Sequence, residues 1–318
     1  MAMVESLVLA IVGPTASGKS AVAMILAERL GGEVVSADSM QVYRGMDIGT
    51  AKPPTEVRER VRHHLIDIMD PSENCTAALF QSLARAAIED IIERGKIPII
   101  VGGTGLYVSA AVDNLHFPQT QETSEVRMRL QEEAEELGAF KLHSRLREID
   151  PVGASNIHVN NTRRVIRALE VYELTGKKYS DVAGSFKKRR SLYDTVFMGL
   201  DYEKEELKRR IAVRTNRMIE KGWVEETRQL FAGDRLISRN AAQAIGYATL
   251  KQYIDGHLTM DEAVEQVIKT TSAYAKRQMT WFKADPRVVW LEPDVKDGAA
   301  ELADEVVLYL KSIGKGVS

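Results

Sequence analysis

The sequence has a single cysteine, Cys75. An intramolecular disulfide is therefore excluded, and no zinc site can rest on paired cysteines. No stretch approaches the ~20 consecutive apolar residues that a membrane-spanning helix needs. The start of the chain lacks the basic segment of a secretory signal and runs directly into a motif. These absences point to a reducing, cytoplasmic setting. An excess of one charge is also missing. The 43 Lys and Arg residues against 45 Asp and Glu leave a net charge of -2. A globally basic nucleic-acid binder is not indicated, although clustered residues can still build a local basic face. We find no internal repeat and no low-complexity tract. What is present is 318 residues, 44% hydrophobic and 28% charged. That is near the average for globular proteins, so disorder and collagen are excluded. The length allows two domains, or one large domain with an insertion.

The first hundred residues alternate between short apolar runs and helical patterns. Leu7–Val12 is a continuous apolar run of buried-strand length, and Ser20–Leu30 follows with Val22, Ile25, Leu26 and Leu30 on one helical face. Glu33–Ser36 and Leu65–Ile68 are further short strand candidates. Thr76–Arg94 reads as a helix, and Ile97–Val101 as a β-branched strand that ends in Gly102-Gly103. This rhythm predicts an α/β fold with a parallel sheet flanked by helices. After about Leu115 the pattern changes. Ser124–Leu137, Phe140–Ile149 and Asn161–Thr175 read as helices with no strand between them. We therefore expect residues 1–118 and 192–318 to form one core and 119–191 a helical insertion. Leu192–Leu200 is expected to return to the sheet, Val288–Leu291 to add a last strand, and Ala299–Lys311 to close the chain as a helix.

Gly13-Pro14-Thr15-Ala16-Ser17-Gly18-Lys19-Ser20 matches the phosphate-loop pattern G-x-x-x-x-G-K-[ST] at every fixed position. It follows a predicted strand and opens a predicted helix, the context the pattern requires. Glycines let successive backbone N–H groups turn inward around a di- or triphosphate. The helix N-terminus adds positive potential, Lys19 supplies a point charge, and the Ser20 hydroxyl is placed to ligate Mg²⁺. The loop alone leaves a nucleotide kinase, an ATPase and a diphosphate-using transferase open. An ATPase normally offers an acid at the end of an apolar strand to hold Mg²⁺. Here Val101 is followed by Gly102-Gly103-Thr104-Gly105, and the nearest acids on strands are Asp38 and Asp67.

Asp38 lies just past the second predicted strand. In an open parallel sheet, ligands sit outside the C-terminal strand ends, so Asp38 is expected near the phosphate-bearing substrate. There it can accept a proton from a nucleophile, or it can simply form a turn. The glycine run at 102–105 ends another strand at the same edge. It reads either as a close approach to a ligand, with Thr104 offering a hydroxyl, or as a plain strand-to-helix turn. His63-His64 have no third metal ligand in view and read as structural. Cys75 carries no sign of chemistry.

The blocks GPTASGKS at 13–20, DSMQVY at 38–43, DIGTAKP at 47–53, HHLID at 63–67 and GGTGLY at 102–107 together resemble the bacterial type of the tRNA dimethylallyltransferase (tRNA isopentenyltransferase) family. So do NTRRVIRALE at 161–170, QAIGY at 243–247 and KRQMTWF at 276–282, in the family's order. The resemblance implies a P-loop NTPase-like core. It also implies transfer of a dimethylallyl group from dimethylallyl diphosphate to N6 of the adenosine immediately 3′ of the anticodon, in tRNAs for codons that begin with U. Gly13, Pro14, Thr15, Ala16, Ser17, Gly18, Lys19 and Ser20 would then hold the donor's diphosphate. Mg²⁺ would sit at Ser20, and Asp38 would be the catalytic base. Thr15 and Lys19 would act at the diphosphate together with Arg214, for which Arg210 and Arg217 are rivals.

A stacked target base has to be flipped into a pocket, and a single-stranded loop is read by stacking and base-edge contacts with cations on phosphates. By resemblance, the tRNA contacts are Asp38, Ser39, Met40, Gln41, Thr104, Arg127, Arg163, Arg164, Val165, Ile166, Arg167, Gln243, Gly246 and Tyr247. Basic clusters at 163–167, 187–190, 208–210 and 276–277 would add to this surface, with the insertion as the RNA grip. Trp281 and Phe282 read as base-stacking or as core. The expected partners are the tRNA anticodon stem-loop and dimethylallyl diphosphate, with no membrane and a monomeric enzyme. An adenine-nucleotide isopentenyltransferase, a P-loop small-molecule kinase and a non-catalytic tRNA-binding module are the competing readings.

Overall fold

The computed structural model describes residues 4–117, 125–187, 190–233, 236–293 and 298–315. Among them, six parallel strands form one sheet: β1 (Val4–Val12), β2 (Glu33–Ser36), β3 (His63–His64), β4 (Pro98–Gly102), β5 (Tyr193–Leu200) and β6 (Val288–Leu291). The strand order is β3-β2-β4-β1-β5-β6. Parallel neighbours need crossovers, and helices provide them. α1 (Lys19–Leu30), α2 (Thr55–Arg60), α3 (Ala77–Glu93) and α4 (Gly105–Val112) serve the first four strands. Leu9 and Ile11 pack in one buried cluster with Val22, Leu26, Val306 and Leu310. Side chains alternate along a strand, so Val8 and Ala10, equally buried, face the other side of the sheet.

Register decides what meets at the C-terminal edge. Val12 is opposite Gly102, Val12 is also opposite Gly199, and Ser36 is opposite Val101. The phosphate loop, the 102–105 turn and Asp38 therefore leave the sheet at one level. The third strand departs from expectation. β3 is His63–His64, paired with Val34 and Val35, and not Leu65–Ile68. Leu65 and Asp67 have φ of 65° and 57°, and a left-handed backbone cannot continue a strand. Asp67 is consequently no strand-end acid. It is ion-paired with Lys52 and Arg58.

Two compact units are present. The first spans Met1–Val112 and Ser191–Ser318, the second Asp113–Arg190. The second contains α5 (Glu125–Ile149), α6 (Pro151–Ser155), α7 (Thr162–Thr175) and α8 (Tyr179–Lys187). Gly138, at φ 81° and ψ 159°, breaks α5 into the two helical stretches that the pattern predicts. Leu130, Leu142, Leu146, Val165 and Leu169 form this unit's core. Gln119 and the Lys188-Arg189 pair lie outside the described residues. The first unit continues with α9 (Lys204–Glu220), α10 (Trp223–Leu230), α11 (Tyr247–Ile254), α12 (Met260–Lys283) and α13 (Ala299–Ser312). A capping box, Thr259 with Glu262, fixes the start of α12. No helix among the described residues is long and apolar enough to cross a membrane.

The two histidines have structural partners. His64 Nε2 is 2.8 Å from Glu33, and His63 Nδ1 is 2.7 Å from the Val61 carbonyl. Glu33 is 2% exposed and also accepts from Arg94 and Lys96. The Arg94 guanidinium above all holds the carboxyl well below its ordinary value. The unfolded chain binds this proton first, so the contribution to stability is complete above pH 4.5 and fades as pH falls toward the lowered folded value. Glu33→Gln is expected to lower the melting temperature by ~2–5 °C at pH 7. The gap to the parent should close in acid. A gap that is the same at pH 7 and in acid would show that the charge is not the cause.

Candidate active site

The phosphate loop turns on residues in special backbone conformations. Gly13 has φ 145°, and a Cβ there would lie 3.0 Å from the Leu200 carbonyl oxygen. Gly18, at φ 84°, caps α1 in a left-handed conformation, which a residue without Cβ adopts at no steric cost. Lys19 donates from Nζ to the Pro14 carbonyl at 3.0 Å. Burial pulls its pKa down to about 8, the nearby Arg214 cation adds to that, and Asp38 opposes it. Burial lowers Arg214 from the usual guanidinium value as well, again opposed by Asp38.

Of the three rival arginines, Arg214 reaches the loop, with Nη1 donating to Thr15 Oγ1 at 3.0 Å. Arg210 donates to Glu206 at 2.8 Å and lies over the Tyr202 ring. Arg217 is exposed. The Thr15 backbone N–H is already taken, because it donates to Gln278 Oε1 at 2.8 Å. Gln278 is buried and donates from Nε2 to the Gly103 carbonyl at 2.9 Å. One amide side chain on α12 thus bridges the loop after β1 and the turn after β4.

Asp38 forms a turn and also faces open space. Oδ1 accepts the N–H groups of Met40 at 2.9 Å and Gln41 at 3.4 Å, closing a turn. The residue also lines two adjoining cavities. Ser39 N donates to Thr104 Oγ1 at 3.3 Å. Gln41 accepts from Ser36 Oγ at 2.9 Å and donates to the Thr50 carbonyl at 3.1 Å. The edge is therefore pinned on both sides of the carboxylate.

The smaller cavity, about 100 Å³, is bounded by Lys19, Ser20, Ser36 and Gly102. The larger, about 300 Å³, is bounded by Met40, Trp223, Ile245 and Arg277. Thr15, Asp38, Arg214 and Tyr274 line both. Burial raises the Tyr274 phenol, and the Asp38 charge adds to this. A cationic, phosphate-sized chamber opening past a carboxylate into a larger one can hold a diphosphate while a second substrate meets its other end. Ser20, in the first turn of α1, lines this chamber as a candidate metal ligand, beside the Asp38 carboxylate. No cluster of three or more His, Cys, Asp or Glu groups suited to a metal occurs among the described residues.

Most of the glycine run serves packing. A Cβ on Gly103 would fall 2.0 Å from Gln278 Nε2, and one on Gly105 2.1 Å from the Trp281 ring. Gly102 meets the Ala37 backbone and still lines the smaller cavity. Trp281 is thus held against the turn, and Phe282 is buried.

Gln243 is exposed at the larger cavity and donates to the Arg239 carbonyl. Tyr247 is 1% exposed and donates to Glu226 Oε1 at 2.7 Å. Gly246, at φ 95°, touches the Trp223 ring. In the second unit, Arg163 and Arg164 are exposed on α7, whereas Val165 and Ile166 face its core. Arg127 and Arg167 both pair with the buried Glu170. Cys75 is a hub for Tyr43, Tyr107 and Asn240 through its backbone. Four residues of the site escape sequence reasoning: Gln278, Tyr274, Trp223 and Glu226. Only Gln278 falls inside a block that stood out, KRQMTWF.

The model of a family described as IPP transferase matches residues 41–285. A tRNA dimethylallyltransferase of Geobacillus thermodenitrificans is 46% identical over 309 residues, 97% of each chain. One of Streptomyces coelicolor is 48% identical over 290 residues, 91% of each chain. Among solved structures, the full-length tRNA isopentenylpyrophosphate transferase of Bacillus halodurans is 42% identical with a TM-score of 0.69. The match covers 98% of this chain and 99% of that one. A eukaryotic dimethylallyltransferase acting on tRNA is 28% identical with a TM-score of 0.81, over 99% of this chain and 81% of that one.

Proposed function

The chain belongs to the IPP transferase family, and we propose that it transfers a dimethylallyl group from dimethylallyl diphosphate to N6 of the adenosine immediately 3′ of the anticodon. The acceptors are tRNAs that read codons beginning with U. The observation that carries this reading is the pair of cavities that meet at Thr15, Asp38, Arg214 and Tyr274. The diphosphate occupies the Lys19 side, and the flipped adenine enters the larger chamber. The bond from the allylic C1 to the diphosphate oxygen breaks, and the bond from N6 to C1 forms. The N6 proton passes to the Asp38 carboxylate, which offsets the weak nucleophilicity of an amine conjugated to the ring.

Lys19 and Arg214 stabilise the charge that gathers on the leaving oxygen. Mg²⁺ fits the chamber as a guest of the diphosphate. It retains waters readily and needs few protein ligands, and the Ser20 hydroxyl would hold it. Its bound charge would further stabilise the departing diphosphate. The reading carries with it a monomeric enzyme in the cytoplasm. Arg163, Arg164 and the other basic groups of the helical unit serve as the phosphate grip on the anticodon stem-loop.

The test is transfer from labelled dimethylallyl diphosphate with Mg²⁺, offering unmodified tRNA and free adenine nucleotides in parallel. Label in tRNA alone is expected. Label in the free nucleotides would assign the chain to adenine-nucleotide prenylation, and ATP turnover without prenyl transfer would make it a kinase. Gln278→Ala removes both bonds that set the distance between the two loops. It is expected to lower tRNA prenylation ~10–100-fold and to leave the melting temperature within a few degrees. Full activity in this variant would show that the bridge does not position the loop.

A further inference from the structure

The larger cavity is lined by both polar and apolar side chains, and this inference, which rests on the proposed reaction, concerns the donor it admits. Asp38, Thr271 and Arg277 are polar groups of its lining, suited to the edges of a purine. Ile211, Met218, Trp223 and Val267 supply apolar lining to the same cavity. Arg214 and Met218 lie one helical turn apart on the same face of α9. That separation is ~6 Å along the axis, which is close to the reach of one isoprene unit from a diphosphate held at Arg214. Trp223, at the start of α10, lines the same cavity.

The indole has no room to withdraw. A Cβ on Gly49 would fall 2.1 Å from its Nε1, and one on Gly246 2.2 Å from its ring. Both backbones therefore press against it. Tyr247 stands edge-on at 5.7 Å between centroids. Glu226, one turn further along α10, ties these neighbours to the same helix. Its carboxylate accepts the N–H groups of Asp47, Ile48 and Gly49 at 2.8, 2.7 and 3.0 Å, and the Tyr247 hydroxyl at 2.7 Å. We propose that Trp223, backed by Met218, is the chain-length stop that limits the donor to a single isoprene unit.

The measurement is kcat/KM for transfer to unmodified tRNA from dimethylallyl and from geranyl diphosphate, in the parent, Trp223→Leu and Met218→Ala. The parent is expected to discriminate against the longer chain by ~100-fold or more, as a rigid apolar wall does. Each variant should raise the geranyl-to-dimethylallyl ratio at least ~10-fold, because the removed atoms leave a space the second unit fills. A purely structural role would lower both donors together and leave the ratio unmoved, and that result overturns the inference. So does a parent that uses both chains equally. Should Trp223→Leu fail to fold, Met218→Ala decides alone. A parent that transfers neither chain to tRNA overturns the reaction itself, and the dimethylallyl control tells that outcome apart.

Discussion

Asp38→Asn is expected to lower turnover ~10²–10⁴-fold, the usual worth of a positioned general base. That range corresponds to about 3–5 kcal/mol of transition-state stabilisation. Asparagine separates the turn that this residue forms from the base role proposed for it. Its carbonyl oxygen still accepts from the Met40 and Gln41 amides, so the turn after β2 is kept. Its amide nitrogen cannot accept the N6 proton. Affinity for tRNA should therefore stay within a few-fold of the parent while kcat falls, the pattern of an interaction made only in the transition state. Binding is read by fluorescence titration of labelled anticodon stem-loop, and chemistry by single-turnover transfer. Unchanged single-turnover transfer would remove Asp38 from the chemistry and leave it a turn residue. A joint loss of binding and fold would be read against Asp38→Glu, which keeps the charge but displaces it. That variant should recover part of the rate if a carboxylate is what the reaction needs.

The parts of this molecule that were legible in the sequence are those that local chemistry dictates. Gly13–Ser20 is one: left-handed and close-packed backbone positions demand glycine, and the helix that follows announces itself by its apolar face. The parallel sheet is another, because β-branched runs alternate with helical patterns. Leu65–Ile68 looked like a strand for the same apolar reason. The ladder to β2 is instead made by His63 and His64, whose side chains find polar partners in Glu33 and the Val61 carbonyl. Nothing local reveals such partners. The bonds of Gln278 span 263 residues to Thr15 and 175 to Gly103, so its role exists only after folding. The same holds for Glu226, whose four donors lie in two other segments. Arg214 shows the intermediate case. Helical phase places several arginines on α9, but which of them meets the loop depends on how α9 packs against α12.

Lys19→Met carries the second large effect, a fall of ~10²–10³-fold in transfer, because a preorganised cation at the leaving oxygen is lost. The parent itself gives a sharper test through pH. In the free enzyme Lys19 has a pKa of about 8, pulled down mainly by burial and further by Arg214. Donor binding needs the ammonium form, so kcat/KM for the diphosphate donor should fall as pH rises above about 8. Once the diphosphate is bound, its negative charge favours the ammonium, and kcat should stay level to higher pH. The two profiles are expected to separate, and profiles that coincide, or a level kcat/KM, would show that Lys19 does not govern donor capture. Asp38→Asn removes the charge that supports the proton on Lys19, so in that variant the fall should begin at lower pH. Stability should move the other way. An unfolded lysine keeps its proton to 10.5 while the folded one releases it near 8. The unfolded chain thus binds more protons between these values, and stability rises with pH across them. Below that window the buried ammonium is a cost, and Lys19→Met should melt higher than the parent at pH 7. A site that is easier to fold without the cation proposed to act in catalysis is what function at the expense of stability predicts.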